Sequence, residues 1–296
     1  MRRPGPRPAA PDPRPPAARH GVHAKPKPVS KSRRTKPRAS RHRRPGMLIK
    51  AVGIVLGAGV LLSVLLVAPL RWVDPPTSAF MVRHWIGATW SGAPSPRLFH
   101  EWVGADVIPP VMALAAVAAE DQRFPEHFGF DMVQLRRAWA EYRSGGRLRG
   151  ASTISQQTAK NLFLWPGRDP LRKALEAWLT LVIEALWPKE RILEVYLNIA
   201  QFGPSTFGVG AAAWRFFERP AVALTAAQAA SLAAVLPNPD RYRAAAPTAY
   251  IERRSRWIRR QMRQLGGIAY LDGAWPLRAS TPTQANASAR GGRAPP

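Results

Sequence analysis

A carboxylate that closes an apolar helix is a candidate proton acceptor, and Glu120 stands in that position. The run VMALAAVAAEDQRF is apolar almost all round until Glu120 and Asp121 end it. Apolar surroundings and the negative end of the helix dipole both raise a carboxylate's pKa, which suits it to general-base work near neutral pH. Taken alone, the pair is more simply a solvated helix end. A second cluster is positive. Lys160, Arg168, Arg172 and Lys173 fall within 14 positions, and such donors suit a phosphate or pyrophosphate. Taken alone they are ordinary surface charge. Gln156 and Lys160 share one helix face, as do Gln157 and Asn161. Glu176 follows Arg172 by one turn, where an ion pair is the simplest reading. His127 has no second histidine at ligand spacing, so a positioning hydrogen bond is expected of it.

Other chemistries find no support. The chain has no cysteine, hence no thiolate nucleophile, disulfide or Cys-bound metal. It contains no P-loop, no H-E-x-x-H and no D-x-D clamp for a nucleotide-sugar metal, and no Ser-x-x-Lys or Lys-Thr-Gly. Gly208 to Ala213 fit a loose G-x-G-x-x-A, but without a strand expected before it. Close helix packing explains that run better.

Helices must hold these groups in place. Pro109-Pro110 can open the helix that Glu120 closes. Thr153 and Gln156 form a capping-box pattern at the head of ISQQTAKNLF. Asp169-Pro170 starts a third helix, with Leu175, Leu179, Val182, Ile183 and Leu186 as its apolar stripe and Pro188 as its stop. KERILEVYLNIAQF is a fourth, and further helices are expected at 208–217, 225–236 and 249–265. No strand is convincing. Residues 128–149 interleave Phe128, Met132, Leu135, Trp139 and Tyr142 with Arg136, Arg137 and Arg143, a basic amphipathic patch suited to a membrane surface.

Charge and hydropathy divide the remainder. Of the net charge of +26, residues 1–50 carry +15, from 16 Lys/Arg against Asp12 alone. Residues 1–46, with prolines and few large apolar groups, read as a disordered basic arm. Residues 51–70 then run 20 positions without a charge; at helical rise that is roughly 30 Å, a bilayer core. The expected layout is a transmembrane helix over 47–70, a linker over 71–108, a catalytic domain over 109–268 and a flexible tail over 269–296. The positive-inside rule puts the arm in the cytoplasm and the domain outside. The basic cluster lies beside the span without a single aromatic, so anionic lipid, not nucleic acid, is its expected partner.

These stretches together resemble the family 51 glycosyltransferases, the peptidoglycan polymerases, from about Pro109 to Leu236. EDQRFPEHFGFD at 120–131 matches E-D-x-x-F-x-x-H-x-G-x-D, and GASTISQQTAKNLF at 150–163 matches G-x-S-T-I-[ST]-Q-Q-x-x-K-N-L-F. Arg172-Lys173 with Glu176 give R-K-x-x-E, and KERILEVYLN gives K-x-x-I-L-E-x-Y-L-N. Ala151 replaces a usual second glycine, a change of one methyl. VDPPTSAFM at 73–81, the tryptophan in KNLFLW and the lack of a further large domain after the motifs direct the resemblance to the monofunctional biosynthetic transglycosylases.

The resemblance implies a mostly α, lysozyme-like catalytic domain with a smaller membrane-proximal lobe, after a single N-terminal transmembrane helix. It implies polymerisation of lipid II into β-1,4 glycan strands on undecaprenyl pyrophosphate, by inverting single displacement with Glu120 as base. Lys160 and Arg168 would neutralise the leaving pyrophosphate, and Glu176 would orient donor-side groups. Asp121, Phe124, His127, Ser152, Thr153, Gln156, Gln157, Asn161, Arg172 and Lys173 are the expected substrate-binding residues. No cofactor is required, although a divalent cation, magnesium or manganese, is compatible with Glu176. The expected location is the inner membrane with the domain on its periplasmic side, and other cell-wall synthesis and division proteins are expected partners. The competing reading is a membrane-anchored lysozyme-like or lytic transglycosylase that cleaves glycan strands.

Overall fold

The computed structural model describes residues 45–90, 97–146, 152–167 and 169–277. Among these the fold is mostly helical. Helix α1 spans Pro45–Val67 and continues as a 3-10 turn, Ala68–Arg71. Residues 49–71 form one helix long and apolar enough to cross a membrane. Its side chains are largely bare, apart from Ser63 and Val67, which the catalytic unit buries.

Helix α2 (Ala79–Trp90) and strand β1 (Phe99–His100) follow. Then come α3 (Pro110–Glu120), α4 (Met132–Arg143), α5 (Ile154–Phe163), α6 (Pro170–Leu186) and α7 (Lys189–Ile199). Strands β2 (Gln201–Gly203) and β3 (Thr206–Phe207) lead into α8 (Val209–Phe217), α9 (Ala226–Val235) and α10 (Ala249–Gln264).

Helix α3 is the centre. Met112 through Ala118 are all buried, as an all-round apolar sequence requires. Alanine-rich α9 packs on it together with α10, while α5 is sandwiched with α6 and α7. Both capping boxes form: Thr153 with Gln156 at α5, and Thr225 with Gln228 at α9. Asp169 caps α6 through the Arg172 N–H at 2.8 Å, with Pro170 in the first turn.

Three sequence expectations need correction. Strands exist: β1 pairs parallel to β3, and β3 antiparallel to β2, in the order β1-β3-β2. Each has two or three residues, too few for an alternating pattern to show. Strand β3 also precedes Gly208, although the glycines there serve packing as expected. A Cβ on Gly208 would sit 2.7 Å from the Asn198 carbonyl oxygen, and one on Gly210 2.7 Å from that of Glu101.

The described parts of residues 71–108, expected as a linker, contain α2 and β1, and the second part is bound into the domain. The Asn198 side chain accepts from the Val103 N–H at 2.9 Å and donates to the Val103 carbonyl at 2.8 Å. The tail expected from 269 starts too early, because Leu271, Ala274 and Trp275 are buried. Tyr270 donates to the Gln122 carbonyl at 2.7 Å. Three apolar side chains in a Gly- and Ala-rich stretch carried too little periodicity to reveal this. Residues 1–44 of the arm expected over 1–46, and residues 278–296, lie outside the described residues.

Gly129 sets the loop between α3 and α4. It has φ +76°, and a Cβ there would meet Thr180 Cγ2 at 2.8 Å and Glu184 Cγ at 3.2 Å. Gly129→Ala combines left-handed strain with overlap against α6. It is expected to lower unfolding free energy by about 2 kcal/mol, read by denaturant titration of the variant against the parent.

Candidate active site

Glu120 is the last residue of α3, and Asp121 caps the helix by donating its N–H to the Val117 carbonyl. The Glu120 side chain is 15% exposed. One oxygen accepts from Gln157 Nε2 at 3.0 Å and the other from Arg254 Nη2 at 3.4 Å. Burial pushes its pKa up, against the Gln157 hydrogen bond and the charges of Arg254 and Lys160, with Asp121 adding to the rise. The result is a carboxylate that holds a proton more readily than an exposed one, as a base requires.

Gln157 is itself oriented. Tyr196, fully buried on α7, donates to Gln157 Oε1 at 3.4 Å. Burial, then the charges of Glu120 and Asp121, hold the Tyr196 phenol well above its usual pKa. It therefore stays protonated and keeps the amide nitrogen of Gln157 facing Glu120.

A cleft beside this carboxylate is lined by Ser152, Gln156, Gln157, Lys160, Gly167, Arg172, Lys173 and Glu176. Capping fixes the head of α5, so about two turns later Lys160 projects into the cleft. Its ammonium lies 5.6 Å from the Phe80 ring of α2. Burial lowers its pKa, opposed by Glu176 and Glu120 and reinforced by Arg172 and Lys173. Glu176 is spoken for. Arg172 Nη1 donates to one oxygen at 2.6 Å and Lys173 Nζ to the other. Three cations against one carboxylate leave the cleft a positive surplus, suited to a phosphate-bearing group.

That pairing also bears on metals. Both Glu176 oxygens already carry cationic donors, and among the described residues no group of three or more His, Cys, Asp or Glu side chains converges. With both Glu176 oxygens engaged in this way, no step is routed through a divalent cation.

Other expected binding residues lie behind the cleft. Asp121 accepts from the Ile154 N–H at 2.9 Å and from His127 Nε2 at 2.9 Å. It ties the head of α5 to the end of α3, which sets the distance between Gln157 and Glu120. His127 thus makes the expected positioning bond. Phe124 is buried beside the His127 ring. The Thr153 hydroxyl donates to the Gly129 carbonyl at 2.6 Å. Asn161 is buried and does not line the cleft. Arg168 lies outside the described residues.

Arg254 and Phe80 were not anticipated. The signal for Arg254 was present: Ile251, Ser255, Ile258 and Met262 form the buried face of α10, and position 254 falls on that face by helical spacing. The six arginines of α10 would otherwise read as a solvated helix surface, but here one turns inward. Removing Arg254's charge removes a force that favours the ionised base. In Arg254→Gln the acid limb of the kcat/KM profile is expected to move to higher pH, with rates several-fold lower below neutrality and near-normal rates on the alkaline side.

Comparisons with known proteins agree with this geometry. A family model described as Transglycosylase matches residues 93–263. A biosynthetic peptidoglycan transglycosylase of Klebsiella oxytoca is 55% identical over 225 residues, covering 76% of this chain and 90% of that protein. One from Xanthomonas campestris pv. campestris (strain B100) is 53% identical over 209 residues, covering 71% and 85%. One from Cronobacter sakazakii is 51% identical over 228 residues, covering 76% and 92%. With a family model spanning the catalytic unit and relatives at this identity matched over most of their length, the chain belongs to the transglycosylase family.

Proposed function

We propose that the chain is a peptidoglycan glycosyltransferase that joins lipid-linked disaccharide-peptide units into β-1,4 glycan strands. The supporting observation is the juxtaposition of Glu120, shielded and held by Gln157 and Arg254, with a cleft of surplus positive charge. The acceptor's 4-hydroxyl gives its proton to Glu120 as its oxygen attacks the donor's anomeric carbon. The bond from that carbon to the pyrophosphate oxygen breaks with it. Lys160 and Arg172 stabilise the charge that the leaving pyrophosphate gains, a role the sequence motif extends to Arg168. No enzyme nucleophile is needed. Asp121, His127 and Thr153 act by positioning α5.

A lytic enzyme would share the glutamate but would have no use for the cation-lined cleft. Purified chain in detergent, given labelled lipid II, is expected to yield a ladder of glycan strands. Given preformed strands, it is expected to leave them uncut. The converse would support cleavage.

The substrate's lipid and the apolar span support a reaction at a membrane. Phe128, Met132, Leu135, Trp139 and Tyr142 are exposed on and before α4, which supports contact with the bilayer surface. The basic arm argues for a cytoplasmic N-terminus and an outer catalytic domain. Protease added outside intact spheroplasts should digest the domain and spare the arm; digestion of the arm alone would reverse the orientation.

A further inference from the structure

Helix α10 touches the candidate base and also lines a second cleft that the proposed chemistry leaves unused. Tyr250, Arg253, Arg254 and Trp257 line it. Steps of three, one and three residues make them one stripe of the helix. Arg254 belongs to both places, since it lines this cleft and its Nη2 is 3.4 Å from a Glu120 oxygen. Whatever fills the cleft therefore lies within one side chain's length of the reacting groups.

The lining describes the occupant. Tyr250 and Trp257 are 44 and 36% exposed, and Tyr242 stacks on Tyr250 with ring centroids 5.3 Å apart, which braces that ring. Arg254 pairs with Glu120 and Arg256 with Glu252, whereas Arg253 makes none of the ion pairs found among the described residues. No acidic side chain lines the cleft. Accessible aromatic rings take the C–H face of a sugar, and an unpaired guanidinium takes a carboxylate. A saccharide bearing a peptide, whose free end is a carboxylate, offers both.

Position separates two such saccharides. The hydrogen bonds that tie α1 and its continuation to the domain fall on α6, its cap and α7: Ser63 to Trp178, Val67 to Trp187, Arg71 to Leu186 and Leu70 to Arg191. Helix α10 packs instead on α9 and α3. A saccharide joined directly to its lipid is held to the side of α6 and α7, while one several units along a strand is free to lie on α10.

We infer that this cleft is a subsite for the strand already made, holding a peptide-bearing saccharide behind the donor sugar that reacts at Glu120. The inference rests on the proposed reading of the chain as a glycan polymerase. The aromatic rings hold the sugar and Arg253 holds a carboxylate of its peptide. Each coupling moves the strand on by one disaccharide, and the next peptide-bearing unit enters the cleft. A strand held in this way is less readily released between couplings.

The test uses the full chain in detergent and labelled lipid II whose peptide carboxylates are either free or amidated. In Tyr250→Ala/Trp257→Ala the mean strand length is expected to fall about fivefold, from the loss of two aromatic contacts. The initial rate of lipid II dimer formation should stay within about twofold of the parent. Tyr250→Phe/Trp257→Phe keeps the rings and should restore most of the length, which separates lost stacking from a damaged fold. Arg253→Gln should shorten strands made from the free-carboxylate substrate about fivefold and leave those made from the amidated one unchanged. Dimer formation slowed in step with the shortening would place the cleft on the acceptor and overturn the inference, as would unchanged lengths in both variants. Equal shortening with both substrates in Arg253→Gln would overturn the carboxylate contact. Failure of the unmutated chain to make strands overturns the functional reading instead.

Discussion

Glu120→Gln is expected to lower glycan polymerisation by about 10³-fold, within the range for loss of a positioned general base, while the domain stays folded. The amide keeps the size of the side chain but cannot take the acceptor's proton. Folding should not suffer, and the sign of the pKa shift says why. Glu120 has a folded pKa raised by burial. The unfolded chain therefore releases this proton first as pH rises, and ionising Glu120 costs folded stability above the ordinary carboxyl range. A neutral amide escapes that cost. Lipid II turnover and thermal unfolding, measured together at neutral pH, check both halves. Near-normal turnover by a folded variant contradicts the role.

Lys160→Ala is expected to slow the chemical step by about 10²-fold, as for the loss of one electrostatic stabiliser. Lys160 should matter more than Lys173. The Lys173 ammonium is bound to Glu176, whereas Lys160 makes none of the ion pairs found among the described residues and keeps its charge for the cleft. The loss should appear in single-turnover rates with membrane association unchanged; weakened association alone would contradict the pyrophosphate role. Lys160 also shapes the pH dependence. Burial lowers its pKa, so its charge is lost at lower pH than an exposed lysine's as pH rises. Glu120 loses its basic form as pH falls through its raised pKa. The rate profile is a bell narrowed from both sides, and Lys160→Ala should flatten its alkaline limb.

The chemistry was legible in the sequence because its signals are local. A capping box is four residues long, and Thr153 with Gln156 fixed where α5 begins. From there, helical spacing alone put Gln157 and Lys160 one turn apart or less. The all-apolar run before Glu120 showed that the carboxylate would end a buried helix. What stayed hidden depends on chain separation. Arg254 reaches Glu120 across 134 positions, and helix spacing gave its face without its partner. Asp121 looked like a substrate ligand beside Glu120, yet its oxygens are committed to Ile154 and His127. Strands of two residues, and the aromatic Trp275 seated in the core from a glycine-rich stretch, exist only because tertiary packing holds them.

Direct displacement at the anomeric carbon leaves its mark in the product. The most direct measurement is the anomeric configuration of each new linkage, read by carbon-13 NMR on glycan made by the wild-type chain from α-linked lipid II. With Glu120 as base and no enzyme nucleophile, every linkage formed is β. Retained α linkages would require a covalent glycosyl intermediate on the enzyme and would contradict single displacement at Glu120.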